Sequence, residues 1–411
     1  MIINFLRRLG LGRSFWRQAS FGEVGILYIS RFLRLLAMNL SSIFILIFLY
    51  ELGYSFGFLA IYLAGFYFFK VIGAILGGFY IARFGPKHGA LLSNLLYIPT
   101  LIIISHTAEL GLGAVVIGMI LQALSVAIYN LSYDINFSKI KSLKRAGRQL
   151  GVANMMEKII GGLAPMVGGF LAIWLGPQTV MIISAGIFAL AAIPLLATEE
   201  PIRTNQKISI IGFPWHNFWH NLVGQIGFGF DAVSSQIWSI LVPIFIFVGQ
   251  NSYGVIGVLS SVAAVVGALA ALIYGRFVDR GQGLKLLQIP VALKSITLAI
   301  RGAFINTPIT SVASNLVSEA TTTGYHMAYY KGAFDAADRS GSRIVYMMAL
   351  AVCGNLAATL ASGLLFGLLQ VFHSEEIGLR FFLVISAIGL MALSLADFPL
   401  YREKSRQYRE D

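Results

Sequence analysis

The chain has 411 residues, of which 57% are hydrophobic and 12% are charged, and its formal net charge at pH 7 is +12. Soluble domains usually contain about 25% charged residues, and their apolar residues recur at helical or strand spacing. Here the apolar residues instead run in long stretches that are barely interrupted by charge. The composition excludes a water-soluble fold and predicts an all-α membrane protein.

Twelve of these stretches are long enough to cross a bilayer core of roughly 30 Å, which takes about 20 apolar residues in a helix. In the first half of the chain they lie at 22–50, 55–82, 89–107, 110–134, 148–173 and 178–197. In the second half they lie at 217–249, 253–277, 284–305, 308–331, 341–372 and 378–400. The sequence therefore predicts 12 transmembrane helices.

Positive charge is concentrated in the segments that follow every second stretch. These segments carry Arg83, Lys87, Lys139, Lys141, Lys144, Arg145, Arg148, Arg203, Lys207, Arg276, Arg280, Lys285, Lys331, Arg339 and Arg343. Because cytoplasmic loops hold the excess of Lys and Arg, both termini are predicted to be cytoplasmic. The basic loops then face anionic headgroups of the lipid bilayer, and no nucleic acid partner is expected. The compact loops favour a prokaryotic cell inner membrane.

The two halves of the chain repeat each other. Gly78 lies near the end of the second stretch and Gly275 near the end of the eighth, and each begins a similar glycine- and arginine-containing segment. Many secondary transporters are built from such repeats, with the site between them. The predicted organisation is a terminal segment at 1–21, six-helix bundles at 22–197 and 217–400, a cytoplasmic linker at 198–216 and a tail at 401–411.

The segment after the second stretch resembles the loop signature of the major facilitator superfamily. That signature is Gly, three residues, Asp, a basic residue, any residue, Gly, any residue and a basic residue. Gly78, Arg83, Gly85 and Lys87 fit it, and Ala82 stands where the family has Asp.

The second copy keeps Gly275, Asp279 and Arg280, with its next glycine displaced by one position. The resemblance implies a gating motif that holds the two halves together on the cytoplasmic side. It also implies two pseudo-symmetric six-helix bundles that expose a central site alternately to either side.

A second resemblance lies on the fifth stretch. Ala164, Pro165, Gly168 and Gly169 resemble the glycine-proline signature of the family's proton antiporters, which would imply export. The same residues are typical of a small-residue packing face with a proline kink, and both interpretations stay open.

Charged residues near the middle of the predicted helices are the candidate site. A charge at the bilayer centre costs from about 2.5 kcal/mol upward, so each needs a partner or a water-filled cavity. Those nearest the middle are Arg34, Lys70, Asp231, Lys294 and Glu319.

Arg34 is predicted to bind an anionic solute, because a guanidinium holds carboxylate or phosphate through two parallel hydrogen bonds. Arg31 and Lys70 are predicted to assist as cations, and Tyr28 and Trp238 as aromatic neighbours of the solute.

Structural pairing is the alternative for Arg34 and Lys70, whereas Arg31 would instead reach the headgroup region. Arg34 would pair with Asp231, since the resemblance implies that helices 1 and 7 face each other. Lys70 would pair with an acid. The resemblance places helix 9 at the periphery, so Lys294 is predicted to form a structural pair or to reach the interface.

Proton coupling is predicted from the tenth stretch. Glu319, Thr323, His326 and Tyr330 recur at spacings that place them on one helix face. A carboxyl and an imidazole aligned along the membrane normal suit a proton path, because histidine titrates near neutral pH. Asp231 is the alternative proton carrier.

Other chemistry finds no support in the sequence. There is one cysteine, Cys353, and we find no phosphate-binding loop, catalytic triad or metal-ligand set. The sequence therefore predicts no enzyme, no cofactor and no metal site.

The predicted function is proton-coupled secondary transport, by a monomer, of an anionic or amphipathic small solute, with efflux favoured. One alternative is a proton-coupled exporter of lipophilic cations that uses Asp231 and Glu319 as binding acids. The other is a non-transporting membrane protein, such as a lipid scramblase or a receptor built on a transporter fold.

Overall fold

The structure is a computed structural model that describes residues 23–140, 146–196, 208–213, 215–279 and 282–401. Throughout those ranges the regular elements are helices, without a β-strand. The first half contains α1 (Glu23–Ser41, continued after a 3₁₀ turn at Ser42–Phe44 as Ile45–Glu51), α2 (Phe56–Phe84), α3 (Pro86–Ser105), α4 (Leu112–Ile140), α5 (Ala146–Leu175) and α6 (Pro177–Leu196). The second half contains α7 (Trp215–Leu241, continued as a π segment at Val242–Ile246), α8 (Ser252–Asp279), α9 (Gly283–Ala303), α10 (Pro308–Arg339), α11 (Arg343–Val371) and α12 (Glu375–Leu390).

Each predicted stretch coincides with one of these helices, which confirms the all-α membrane fold. Among the described residues, ten helices are long and apolar enough to cross a membrane. The other two are α5, whose apolar portion is the shorter Ile159–Leu175, and α10.

The α10 helix is more polar than the rest but long enough to cross. Its 32 residues rise about 48 Å at 1.5 Å per residue, which exceeds the hydrocarbon core. Thr307 begins it with a capping box to Thr310, so the first backbone N–H groups are satisfied. Ser314 and Thr321 are buried and donate to carbonyls of their own helix. The serines and threonines in the middle of α10 therefore lie largely inside the protein, with Ser311, Ser314, Ser318, Thr321 and Thr323 buried.

The two halves have the same internal packing. In the first half α1 contacts α5 and α6, α2 contacts α4, and α3 contacts α4 and α6. In the second half α7 contacts α11 and α12, α8 contacts α10, and α9 contacts α10 and α12. Adding six to each helix number of the first set gives the second set, so the two bundles are pseudo-symmetric, as the sequence repeat predicts.

The two most extensive contacts between the halves are equivalent, α5 with α8 and α11 with α2. The α5–α8 contact is close because glycines face backbone across it. A Cβ added at Gly169 would lie 2.6 Å from the carbonyl oxygen of Tyr253, and one added at Gly257 would lie 2.6 Å from that of Pro165. Gly169 and Pro165 of the antiporter-like segment thus pack against α8, as the small-residue interpretation expects.

The predicted gating motif lies at the other contact between the halves. A Cβ on Gly78 would lie 2.6 Å from Met348 Sδ of α11, so glycine allows α2 to approach α11 there. Gly85 has φ of +94°, a conformation open to glycine, and it ends α2 directly before α3. Arg83 is exposed, whereas Lys87 is buried.

In the second copy, Gly275 is buried in α8. The side chain of Asp279, and Arg280 as a whole, lie outside the described residues, as do 1–22, most of the predicted linker and 402–411. The gating role and the bundle boundaries stay predictions.

Candidate functional site

In the part of the chain that the structure describes, residues of both halves line two cavities. The α4-side cavity has a volume of about 410 Å³ and is lined by α2, α4, α7, α10 and α11. The α9-side cavity has a volume of about 450 Å³ and is lined by α1, α5, α7, α8, α9 and α10. Ser235 of α7 lines both, so the two cavities are neighbours on either side of α7.

An ion pair lies between the cavities. Asp231 Oδ1 is 3.4 Å from Lys294 Nζ. Asp231 lines the α4-side cavity and Lys294 the α9-side cavity. The two residues are 5% and 2% exposed. The alternative pairing of Asp231 with Arg34 is therefore wrong, and Lys294 is an inward-facing residue of α9 rather than one that reaches the interface.

The pair is held by hydroxyl groups of α10. Tyr325 donates to Asp231 Oδ2 at 2.6 Å. Lys294 donates to Ser318 and, at 3.0 Å, to Thr322. Hydrogen bonds to both ions offset part of the desolvation that burial of charge requires. Three helices thus meet at this pair.

A second cation of α9, Arg301, lines the same α9-side cavity as Lys294. Arg301 is 2% exposed, and its guanidinium lies 4.5 Å from the Trp238 ring. Arg301 Nη2 and Trp238 Nε1 both donate to Asn315 Oδ1, at 2.6 and 2.7 Å. Because one oxygen fixes both groups, the cation and the indole form a pre-organised face of the α9-side cavity.

The predicted proton-coupling residues are divided between the cavities. His326 lines the α4-side cavity, where its ring packs edge-on against Phe228 at 4.8 Å between centroids. Glu319 lines the α9-side cavity. Asp231 lies between them, so the structure brings the three residues to one region but places the Asp231–Lys294 pair in the middle of it.

The predicted solute-binding residues are more dispersed. Trp238 lines the α9-side cavity and Lys70 the α4-side cavity, with the Lys70 ammonium 4.9 Å from the Tyr67 ring. Arg31 forms an ion pair with Glu157 of α5. The side chain of Tyr28 lies outside the described part of the chain.

Arg34 lies within the first bundle. It is 0% exposed, its Nη1 donates to Asn94 Oδ1 at 2.6 Å, and its guanidinium lies 3.8 Å from the Tyr129 ring. It lines neither of the two cavities. Its role as a solute ligand stays a prediction that these contacts do not support.

Several cavity residues were not singled out from the sequence. Asn130 and Asp134 of α4, Gln225 of α7 and Asn355 of α11 line the α4-side cavity. Asn130 and Asp134 are four residues apart, which is a polar pair on one helix face. That spacing at the end of the stretch 110–134 is a signal that would have found them.

Comparisons with known proteins agree with the fold. A crystal structure of the transporter FucP in the outward conformation is 15% identical with a TM-score of 0.68, covering 92% of this chain and 98% of FucP. The human organic anion transporter MFSD10 (TETRAN) is 11% identical with a TM-score of 0.66, covering 90% of this chain and 98% of that protein.

A second structure of FucP, described as the E. coli fucose:proton symporter, is 14% identical with a TM-score of 0.65 and covers 92% of this chain and 97% of FucP. At these identities the likeness concerns the fold alone. No curated protein matches the chain by sequence. The sequence profile of the Major Facilitator Superfamily matches residues 27–329, which is well over half of the chain. With two pseudo-symmetric bundles enclosing cavities between them, the chain belongs to the Major Facilitator Superfamily.

Proposed function

We propose that this protein is a proton-coupled secondary transporter in which Asp231 carries the proton. Lys294 is the ion partner that Asp231 loses when it is protonated. The family and the fold support secondary transport. The observation that carries the finer proposal is the buried Asp231–Lys294 pair between two cavities that both halves enclose.

Protonation of Asp231 would change what holds the pair together. A neutral Asp231 no longer attracts Lys294, which keeps its hydrogen bonds to the hydroxyls of Ser318 and Thr322 on α10 and the attraction of the Glu319 carboxyl in the same cavity. The ion-pair contact between α7 and α9 is then lost. Such a change biases the inward- and outward-facing states if the carboxyl is exposed differently in the two.

The α9-side cavity favours an anionic and partly apolar solute. Lys294 and Arg301 are seven residues apart on α9, which places both cations on one helix face. The Trp238 ring adjoins them. A solute with a carboxylate or sulfonate beside an aromatic ring would meet both cations and the indole.

Export rather than import rests on the antiporter-like segment of α5 alone. We propose that the solute leaves in exchange for protons. The rival solute class is a lipophilic cation, which Glu319 and Asp231 would bind as acids. An experiment can separate the two solute classes, because binding of an anion requires the basic residues of the cavities and binding of a cation requires the acidic ones.

The experiment uses purified protein and proteoliposomes. A panel of aromatic sulfonates, carboxylates and lipophilic cations is screened for thermal stabilisation, since a ligand that binds the folded state raises its apparent stability. Stabilising solutes are then loaded into vesicles with a pH-sensitive dye in the lumen. We expect anions to stabilise, and their flux to be accompanied by counter-flow of protons.

Two variants separate binding from coupling. Arg301→Gln should weaken anion binding by about tenfold or more, since a hydrogen bond to a charged group contributes about 1.5–3 kcal/mol. Asp231→Asn should retain anion exchange but abolish the proton flux. Glu376→Gln, which removes an acid from the ion pair with Arg380 at the start of α12, is the matched control and should behave as wild type. Stabilisation by cations alone, or unchanged proton flux in Asp231→Asn, would refute the proposal.

A further inference from the structure

The first bundle contains a buried cation that the proposed transport site does not use. The guanidinium of Arg34, on α1, is enclosed by three other helices of that bundle. Asn94 and Tyr97 contact it from α3, Tyr129 from α4 and Phe188 from α6. With 0% exposure, the charge has no contact with bulk water.

Within the described ranges, three N–H donor groups of Arg34 and Asn94 have no hydrogen-bond acceptor. Among the described residues, Arg34 Nε and Nη2 have no partner, and neither has Nδ2 of Asn94. Asn94 uses its only acceptor, Oδ1, for Arg34 Nη1. Rotating the Asn94 amide would not help, because it would place its amino group against the guanidinium.

No acid among the described residues pairs with Arg34. Arg31, one turn away, holds Glu157, and Asp231 is held by Lys294. The aromatic faces attract the cation, but that attraction is worth only about 2 kcal/mol when desolvated. Burial of an unpaired charge costs several kcal/mol. A neutral ligand such as water would satisfy donors and leave the charge uncompensated.

We propose that Arg34 and Asn94 bind a small monovalent anion of halide size inside the first bundle. The donors that lack acceptors are then satisfied, and the buried charge is neutralised by one ligand. Rings of Tyr97, Tyr129 and Phe188 surround the guanidinium, which restricts the site to an ion without an organic body. The anion is a resident component of the fold and not the solute of the central cavities.

The test is a halide titration of the purified protein in detergent, with sodium bromide replacing sodium gluconate at constant ionic strength. The wild type should show a saturable rise of the apparent Tm with bromide. Asn94→Leu should require about tenfold more bromide for the same shift, because it removes a hydrogen bond to a charged ligand. Arg83→Gln, at an exposed arginine, should respond as wild type.

Asn94→Asp is the decisive variant, because it supplies a built-in anion at the same position. In gluconate it should be at least as stable as the wild type in saturating bromide, and added bromide should have no further effect. The proposal is refuted if the wild type has no saturable bromide response, or if Asn94→Asp keeps one. It is also refuted if the response is lost in Arg301→Gln but kept in Asn94→Asp, because the ion would then lie in the α9-side cavity. None of these outcomes depends on transport.

Discussion

Lys294→Met should lower the free energy of unfolding by about 3–5 kcal/mol, because it leaves the Asp231 carboxylate buried without its ion partner. Asp231 is 5% exposed, and its Oδ1 has no hydrogen bond from any described residue. Asp231→Asn should cost a similar amount, since Lys294 then stays buried beside a neutral amide.

The double variant Asp231→Asn with Lys294→Met should recover most of that loss. Replacing both members of a buried pair removes both desolvation costs, and the result is often neutral or stabilising. Denaturant titration in mixed micelles measures all four forms as a double-mutant cycle. Single variants that are as stable as the double variant would mean that the two charges do not interact in the folded protein.

Gly257→Leu should reduce transport about ten- to hundredfold. A Cβ at this position already meets the carbonyl oxygen of Pro165 at 2.6 Å and the Cα of Met166 at 3.2 Å. Backbone atoms cannot rotate away as side chains do, so α5 and α8 must separate. Overpacking typically destabilises a packed structure by about 1–3 kcal/mol. Here it destabilises every conformation of the transport cycle in which α5 and α8 are in contact.

Gly186→Leu on α6 is the matched control. A Cβ there meets no atom within 4 Å, so leucine should leave the exchange rate unchanged. Rates are compared in proteoliposomes that contain equal amounts of folded protein. Equal activity of Gly257→Leu and Gly186→Leu would show that the close α5–α8 contact is not used in the transport cycle.

The sequence was sufficient to predict the helices, because long apolar stretches and polar gaps have few other interpretations in a membrane. It also predicted the repeat, which the matching contacts of the two halves confirm. The polar helix α10 was found because its stretch is long, although its serines and threonines lower its apolarity.

The rotation of each helix about its axis could not be predicted. Leu35, Asn39 and Ile43 are the α1 residues that line the α9-side cavity, and Arg34 precedes Leu35 by one position. One residue is about 100° around an α-helix, so Arg34 faces α3 and α4 instead. The position of a charged residue along a predicted helix can be counted from the sequence. Which neighbouring helix its side chain faces cannot.

The same limit explains Lys294. A peripheral position for helix 9 was implied by the resemblance, and α9 does contact only a subset of its bundle. Yet Lys294 and Arg301 are both buried and both line a cavity. Lysine and arginine have long apolar stems. A helix at the periphery of the bundle can therefore still place its charged groups in a cavity between the halves.

Protonation of Asp231 is expected to shift the balance between the inward-facing and outward-facing states. The most direct measurement is the distance between spin labels at Leu110→Cys and Ile309→Cys, in a background with Cys353→Ser. Both label positions are well exposed, at 62% and 82%, and belong to opposite halves on the predicted extracellular side. Their distance distribution should shift between alkaline and acidic buffer, and Asp231→Asn should show the acidic distribution in both buffers. An Asp231→Asn protein that still shifts with pH as the wild type does would contradict the claim.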